Sequence, residues 1–495
     1  RKHYSVGAVC GTVSLFLSAV YLSFGFPAVD AWFLPDDTYY TLTIARNIFY
    51  GNGASMDGVI PTSGFQPLIA LLEIPLFAVF DQPEALTLAA VGISAVFGAL
   101  AAYLAGVIVL RETGNVWAGL LGGMLVAISP VISWNALNGL ETSLATALVL
   151  CVLRFLQDMD RASSAFKLVL LGLVVALAVL ARIDSVLVLL PAGLWGVARI
   201  GAVRTSIVIC VASIAVLPWV IYCFQFGAPV PESGAAVRQI IEYYIESGLQ
   251  TAAEMGRHIV PVFGIFVMPT MPQIGIAVIV GTMLLTLVKC LRARRMSLSV
   301  VLLISAIFYI SFYALYLPAF WFFDRYLNPV FTFTAILLSI ELAVSARKHL
   351  FSRLVFILVG GALLGLSAAA QYNFLTGPSW QRMGRGYVKQ ASDVLERLPN
   401  GAVLVAMQSG ALTWLSGFPP YSQSEIRVVN LDGVVNQNAK NAIEDNRLAE
   451  YIRSVNATHF ADWPVNVRML ETYAGATDWP VLGERITFSP LNRGF

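Results

Sequence analysis

Long apolar runs leave few folds open to this chain. A helix needs ~20 consecutive apolar residues to cross the hydrocarbon core of a bilayer, and runs near that length recur from the N-terminus to about residue 371. Only 12% of the residues are charged against 58% hydrophobic, about half the charged fraction of a soluble domain. The sequence therefore predicts a polytopic α-helical membrane protein. Spans are expected at about 5–27, 84–110, 116–133, 140–156, 167–182, 184–199, 205–225, 272–289, 297–317, 326–345 and 350–371, about eleven transmembrane helices in all. The formal net charge is only +2, which gives no footing for nucleic-acid binding.

Basic residues set the orientation. Arg1, Lys2 and His3 precede the first span, so a cytoplasmic N-terminus is expected and the span reads as a retained anchor. With eleven spans, Arg111, Arg154, Arg161, Lys167, Arg199, Arg204, Lys289, Arg292, Arg294, Arg295, Arg347, Lys348 and Arg353 all fall on that same side. This scheme requires the apolar run 67–80 not to cross. It is short and carries Glu73 and Pro75, and reads as re-entrant or interfacial. Cys10, Cys151, Cys210, Cys223 and Cys290 lie in or beside apolar spans, and His3, His258, His349 and His459 are scattered. Neither set has metal-ligand spacing.

The remaining polarity gathers on the outer face. The first outer loop, 28–83, holds Asp36 and Asp37 just beyond a membrane-length segment, followed by Tyr39, Tyr40 and Gln66. Adjacent carboxylates at a membrane edge repel each other and lose hydration, so something must use or compensate them. Either Asp also fits an ordinary helix N-cap. Further polar positions on this face are Glu141, Arg182, Asp184, Arg238 and Arg325. Each has a plain reading beside the functional one: a cap for Glu141, an ion pair for Arg182 and Asp184, a solvated face for Arg238, snorkelling for Arg325, and an interface belt for Tyr39 and Tyr40. From about residue 371 the apolar runs stop. Strands are expected at Val403–Ala406, 427–431 and 459–461, and helices at 385–397 and 438–454. Residues 1–371 thus form a membrane domain and 372–495 a small extracytoplasmic α/β domain. Within the latter, Asp432 reads as a turn residue.

An outward-facing carboxylate suits a general base for a hydroxyl acceptor, and arginines at the same depth suit a phosphate leaving group. No strand-linked glycine loop for a nucleotide is present. The run Asp36-Asp37-Thr38-Tyr39-Tyr40, with Ala45-Arg46-Asn47-Ile48, Gly51-Asn52-Gly53, Asp57-Gly58 and Gly64-Phe65-Gln66-Pro67-Leu68, resembles the first outer loop of GT-C-fold glycosyltransferases. It is especially similar to the bacterial integral-membrane type, including actinobacterial arabinofuranosyltransferases. Gly139-Leu140-Glu141-Thr142, Arg182-Ile183-Asp184, Arg325-Tyr326 and Asn430-Leu431-Asp432-Gly433 resemble shorter pieces of that type.

The resemblance implies a protein of the bacterial plasma membrane with its site outside. It implies inverting transfer from a polyprenyl-phosphate-linked sugar donor to a glycan, glycolipid or protein acceptor, with a first-loop acid as base. Asp36 is favoured as the first of the pair. Arabinofuranose and mannose both remain open as the sugar. Oligosaccharyltransferases of this fold use a divalent metal, but beyond the aspartate pair no multi-carboxylate set stands out, and no cofactor is expected. Two other classes fit the composition: a lipid-linked sugar transporter, against which stands the lack of paired halves, and a non-catalytic glycan-binding membrane protein.

Overall fold

The computed structural model describes residues 2–246, 272–293, 296–347, 349–377, 386–463, 466, 467, 469 and 484–487. Arg294, Arg295, Lys348, His258 and most of the outer loop 226–272 lie outside these residues. The first apolar segment gives α1 (Lys2–Leu22) and α2 (Phe26–Trp32), not one span over 5–27, because Gly25 adopts φ +82° between them. Then come α3 (Asp36–Phe49) and α4 (Pro67–Glu73), which runs into a 3₁₀ turn over Ile74–Ala78. At 1.5 Å per residue the whole piece Pro67–Ala78 reaches about 18 Å, too short to cross. It folds into the protein body, with Ile69, Ala70 and Glu73 buried.

The helices continue as α5 (Pro83–Thr113), α6 (Val116–Ile128), α7 (Pro130–Asn135), α8 (Thr142–Asp158), α9 (Ala165–Ala181), α10 (Val186–Ile200), α11 (Ala202–Phe224) and α12 (Ser233–Glu246). The expected span 116–133 is divided, since Ser129 before Pro130 is extended (ψ 128°). After α13 (Pro272–Ala293) and α14 (Leu298–Leu315) come the short α15 (Phe323–Tyr326), then α16 (Asn328–Ala346) and α17 (Leu350–Thr376). A helix stands at every expected span. Among the described residues, eight helices are long and apolar enough to cross a membrane, while Val116–Ile128 and Ala165–Ala181 are shorter. The protein is an integral membrane protein built of helices. At one end, basic residues hold helix ends together: Arg347 donates to the Thr113 carbonyl, Arg199 to those of Gln157 and Met159, and Arg111 pairs with Asp158.

The C-terminal region is an α/β unit: α18 (Tyr387–Leu395), β1 (Val403–Ala406), α19 (Gly410–Ser416), β2 (Arg427–Asn430), α20 (Gln437–Glu444), α21 (Leu448–Ser454), β3 (His459–Asp462) and β4 (Glu484–Thr487). The four strands are parallel in the order β2-β1-β3-β4. Strands β1, β2 and β3 are nearly all buried residues, as expected where helices cover both faces. The helix expected over 438–454 is two helices, broken where Asn446 takes φ +55°. The sequence pattern missed α19 and β4.

This unit is joined to the first loop by a dense seam. Asp36 accepts the N–H groups of Gly410 and Ala411 at 2.8 and 2.9 Å, and Asp30 accepts that of Val388 at 3.1 Å. Arg46 donates to the Trp414 carbonyl at 2.9 Å, and Arg427 pairs with Asp57 at 2.7 Å. Tyr39, Leu42 and Ala45 share one apolar cluster with Leu404, Leu412 and Trp414. Backbones approach so closely that a Cβ on Gly64 would fall 1.7 Å from the Val434 carbonyl oxygen, and one on Gly410 2.2 Å from that of Asp36.

Candidate active site

A cavity of about 1870 Å³ opens between the start of α3, the loop after α7, the turn after α9, α12, the turn before α16 and the α/β unit. Helix α3 begins at Asp36 after extended Pro35 and places Asp36 and Asp37 side by side on the cavity wall, with Tyr40 one turn further on. Its position is fixed by the Thr38 hydroxyl, which donates to the Asn138 carbonyl at 2.7 Å. The next residue, Gly139, has φ +67°, and a Cβ there would meet Thr38 Cγ2 at 2.6 Å.

The two aspartates face different partners. Asp37 Oδ2 accepts from Arg325 Nη2 at 2.7 Å. Arg325 is buried, its guanidinium stacked over the rings of Phe322 (4.3 Å) and Tyr326 (5.4 Å). Its Nε has no partner among the described residues. Asn135 anchors this turn by donating to the Asp324 carbonyl at 2.8 Å. Asp36 has both oxygens engaged by the N-terminal N–H groups of α19. Burial pushes its carboxyl up to about 7, against those two hydrogen bonds. Asp36 caps a helix of the α/β unit, and Asp37 is the carboxylate with a cation in the cavity.

Arg182 and Asp184 form an ion pair, and Glu141 joins them in a closed set. Arg182 Nε and Nη2 bond Asp184 at 3.0 and 2.8 Å, Nη1 meets Glu141 at 3.4 Å, and Nη2 donates to the Tyr313 hydroxyl at 3.1 Å. The Tyr313 hydroxyl donates in turn to Asp184, and the guanidinium stands over Tyr326 at 5.1 Å. Arg238 lines the cavity and remains half exposed, paired with Glu242 at 3.1 Å. Gln66 also lines it. Tyr39 does not: it is fully buried and donates to Asp30. Tyr40 is buried too, its hydroxyl 2.8 Å from the Met407 carbonyl and 3.0 Å from Asp432. Tyr39 is held away from the cavity, while Tyr40 lines it and also pins α3 to the α/β unit through its hydroxyl.

Two buried acids in the cavity wall were missed. Asp432, read as a turn residue, is buried against Tyr40, and its burial raises the carboxyl to about 7. Glu232, on the loop before α12, bonds the Thr62 hydroxyl and is raised to about 7 by burial. Nothing local in the sequence marks either one, since their burial comes from distant segments folding over them. Among the described residues, no group of three or more His, Cys, Asp or Glu is arranged to hold a metal ion. Asp36 and Asp37 diverge to a helix end and an arginine, so the pair does not form a chelate.

The fold, a helical membrane domain with a C-terminal α/β unit over one cavity, is shared with solved structures. No family model matches the chain, and no curated protein matches it in sequence. The solved structures that resemble it include the oligosaccharyltransferase of Archaeoglobus fulgidus in the apo form. That protein is 13% identical, over 96% of this chain and 69% of the other, at a TM-score of 0.56. Another is AglB of the same organism in complex with an inhibitory peptide and a dolichol-phosphate, 15% identical over 92% and 68%, at 0.54. A third is ArnT from Cupriavidus metallidurans in the apo state, 17% identical over 88% of each chain, at 0.51. At such identities the likeness establishes the fold.

Proposed function

We propose that this chain is a glycosyltransferase that moves a sugar from a polyprenyl-phosphate carrier to a hydroxyl acceptor outside the cytoplasm. The observation that carries the reading is the Asp37–Arg325 pair, a carboxylate and a guanidinium with an unpartnered Nε, both facing one cavity. Arg325 holds the phosphate through charge-assisted N–H bonds. The acceptor oxygen attacks the anomeric carbon from the face opposite the phosphate and inverts it. The C–O bond to the phosphate breaks, the phosphate oxygen keeps the electron pair, and the acceptor proton passes to Asp37. The solved AglB complex with dolichol-phosphate supports a lipid-phosphate ligand for a cavity of this fold.

The membrane domain spans 1–371, with about eleven crossings and a cytoplasmic N-terminus, and the α/β domain of 372–495 lies outside. The basic cluster of Arg111, Arg199 and Arg347 supports this orientation, because none of the three lines the cavity. The motif resemblance favours a bacterial cell-envelope enzyme of the arabinofuranosyltransferase type. The test is transfer by the purified chain from a panel of polyprenyl-phosphate sugars, compared with Asp37→Asn. Full activity in that variant refutes Asp37 as base, and no transfer from any member of the panel refutes this donor class.

A further inference from the structure

At one corner of the cavity, three segments distant in sequence meet: Thr62–Gly64 of the first loop, the loop ending at Glu232, and the face of α20. Glu232 is only 5% exposed and lines the cavity. One of its oxygens accepts from the Thr62 hydroxyl, and its own N–H donates to the Ser63 hydroxyl at 3.3 Å. The other, Oε2, is buried with no partner among the described residues. On α20, Gln437 and Lys440 stand one turn apart and both line the cavity. Gln437 donates its amide to Asn441 at 2.9 Å, leaving a buried carbonyl Oε1 without a partner. Lys440 pairs with Glu444 at 2.7 Å and its charge acts on Glu232. The close approach of Gly64 to Val434 ties α20's end of the α/β unit to the loop that holds Glu232.

Buried polar atoms are almost always hydrogen-bonded, and leaving one unmet is costly. Two such atoms at one corner of a wide cavity call for a ligand. Gln437 Oε1 is an acceptor and Glu232 Oε2 is one when ionised, so the ligand must bring donors; a hydroxyl, which both donates and accepts, suits Oε2 in either protonation state. Lys440 nearby disfavours a cation, and among neutral donors a sugar ring offers several hydroxyls side by side. Burial raises the Glu232 carboxyl to about 7, and in either protonation state Oε2 still needs a partner.

We infer that Glu232 Oε2 and Gln437 Oε1 form a sugar-binding subsite that takes two hydroxyls of one pyranose or furanose ring. The inference rests on the transferase reading only for the ring's origin, donor or acceptor. One half of the subsite comes from the loop before α12, held in place by Thr62 and Ser63 of the first loop, and the other from α20 of the α/β unit.

The test uses the full chain in lipid nanodiscs and saturation-transfer NMR with free mannose, galactose, glucose, arabinose and their disaccharides. Wild type and Asp37→Asn are expected to give sugar signals. Glu232→Ala should weaken them about fivefold or more, the effect of losing a buried hydrogen bond. Glu232→Gln, which keeps the shape, should weaken them less and guards against a folding defect in the alanine variant. In the transfer assay, a higher KM for either the lipid-sugar or the acceptor, with kcat largely kept, supports the subsite and says which ring occupies it. The subsite is overturned if no sugar in the panel binds, or if folded Glu232→Ala and Glu232→Gln bind sugars and turn over as wild type does. If Asp37→Asn retains full transfer while the Glu232-dependent signal persists, the base assignment fails and the subsite stands.

Discussion

Arg182 and Arg325 face the same cavity with guanidinium groups stacked on the same ring, Tyr326. Arg182 has two carboxylates, Asp184 and Glu141, and a tyrosine hydroxyl on its nitrogens. One positive charge thus meets two negative ones, and the donors are occupied within the protein. Arg325 meets one carboxylate, Asp37, and keeps a buried N–H unmatched. The difference separates a cation that holds the turn after α9 in place from one available to an anion. Charge near a cavity is a weak sign of function; an unfilled donor beside a single counter-charge is a stronger one. The two aspartates divide the same way, Asp36 to a helix end and Asp37 to the open cavity.

The comparison is sharpest in activity. Asp37→Asn should lower kcat for sugar transfer by about 10²–10⁴-fold, the usual contribution of a positioned base. Asp36→Asn should retain most activity in enzyme that folds. Equal losses in both, assayed on purified protein, would erase the distinction between them. Arg325→Ala should abolish use of the lipid-phosphate donor and lower the melting temperature less than Arg182→Ala does, because it leaves one part-exposed carboxylate unpaired instead of two.

Arg182→Ala should act through stability, because it strands Asp184 and Glu141 without a cation. A loss of about 3–5 kcal/mol is expected, read as low yield and early melting in detergent. A well-folded Arg182→Ala protein that cannot bind donor would place both arginines on the phosphate. Asp36→Ala should cost about 1–2 kcal/mol through the lost α19 cap, read as a lower melting temperature.

The smallest effect is with pH. Burial raises Asp36, Asp432 and Glu232 each to about 7. In an unfolded chain such groups titrate near 4. The folded protein therefore binds more protons between these values, and stability falls as pH rises from about 4 to 7. Melting should be a few degrees higher at pH 5 than at pH 8, and Asp36→Asn with Asp432→Asn should flatten the slope.

Much of the membrane part was legible in the sequence, since apolar run length is a direct physical requirement of the bilayer. Breaks at Gly25 and at Ser129–Pro130 were less visible, because local backbone preference overrides a continuous hydropathy signal there. Residues near the site were also legible as polar groups in apolar company: Asp37, Glu141, Arg182 and Arg325 all line the cavity. Their roles were not, because role depends on partners hundreds of residues away. Asp36 is defined by Gly410, Tyr40 by Met407 and Asp432, and Glu232 by Thr62. The strands β1, β2 and β3 followed from apolar runs, whereas β4 (Glu484–Thr487) carries no such run.

The glycines where the first loop meets the α/β unit have a practical meaning. Gly386 and Gly417 are crowded by Asp30 and Arg46 just as Gly64 and Gly410 are crowded by Val434 and Asp36. Surfaces that interlock this tightly leave no slack for a side chain on either part. Anyone grafting the C-terminal α/β unit of such a protein onto another scaffold must carry the stretch from Asp30 to Gly64 along with it, as one transplantable cassette.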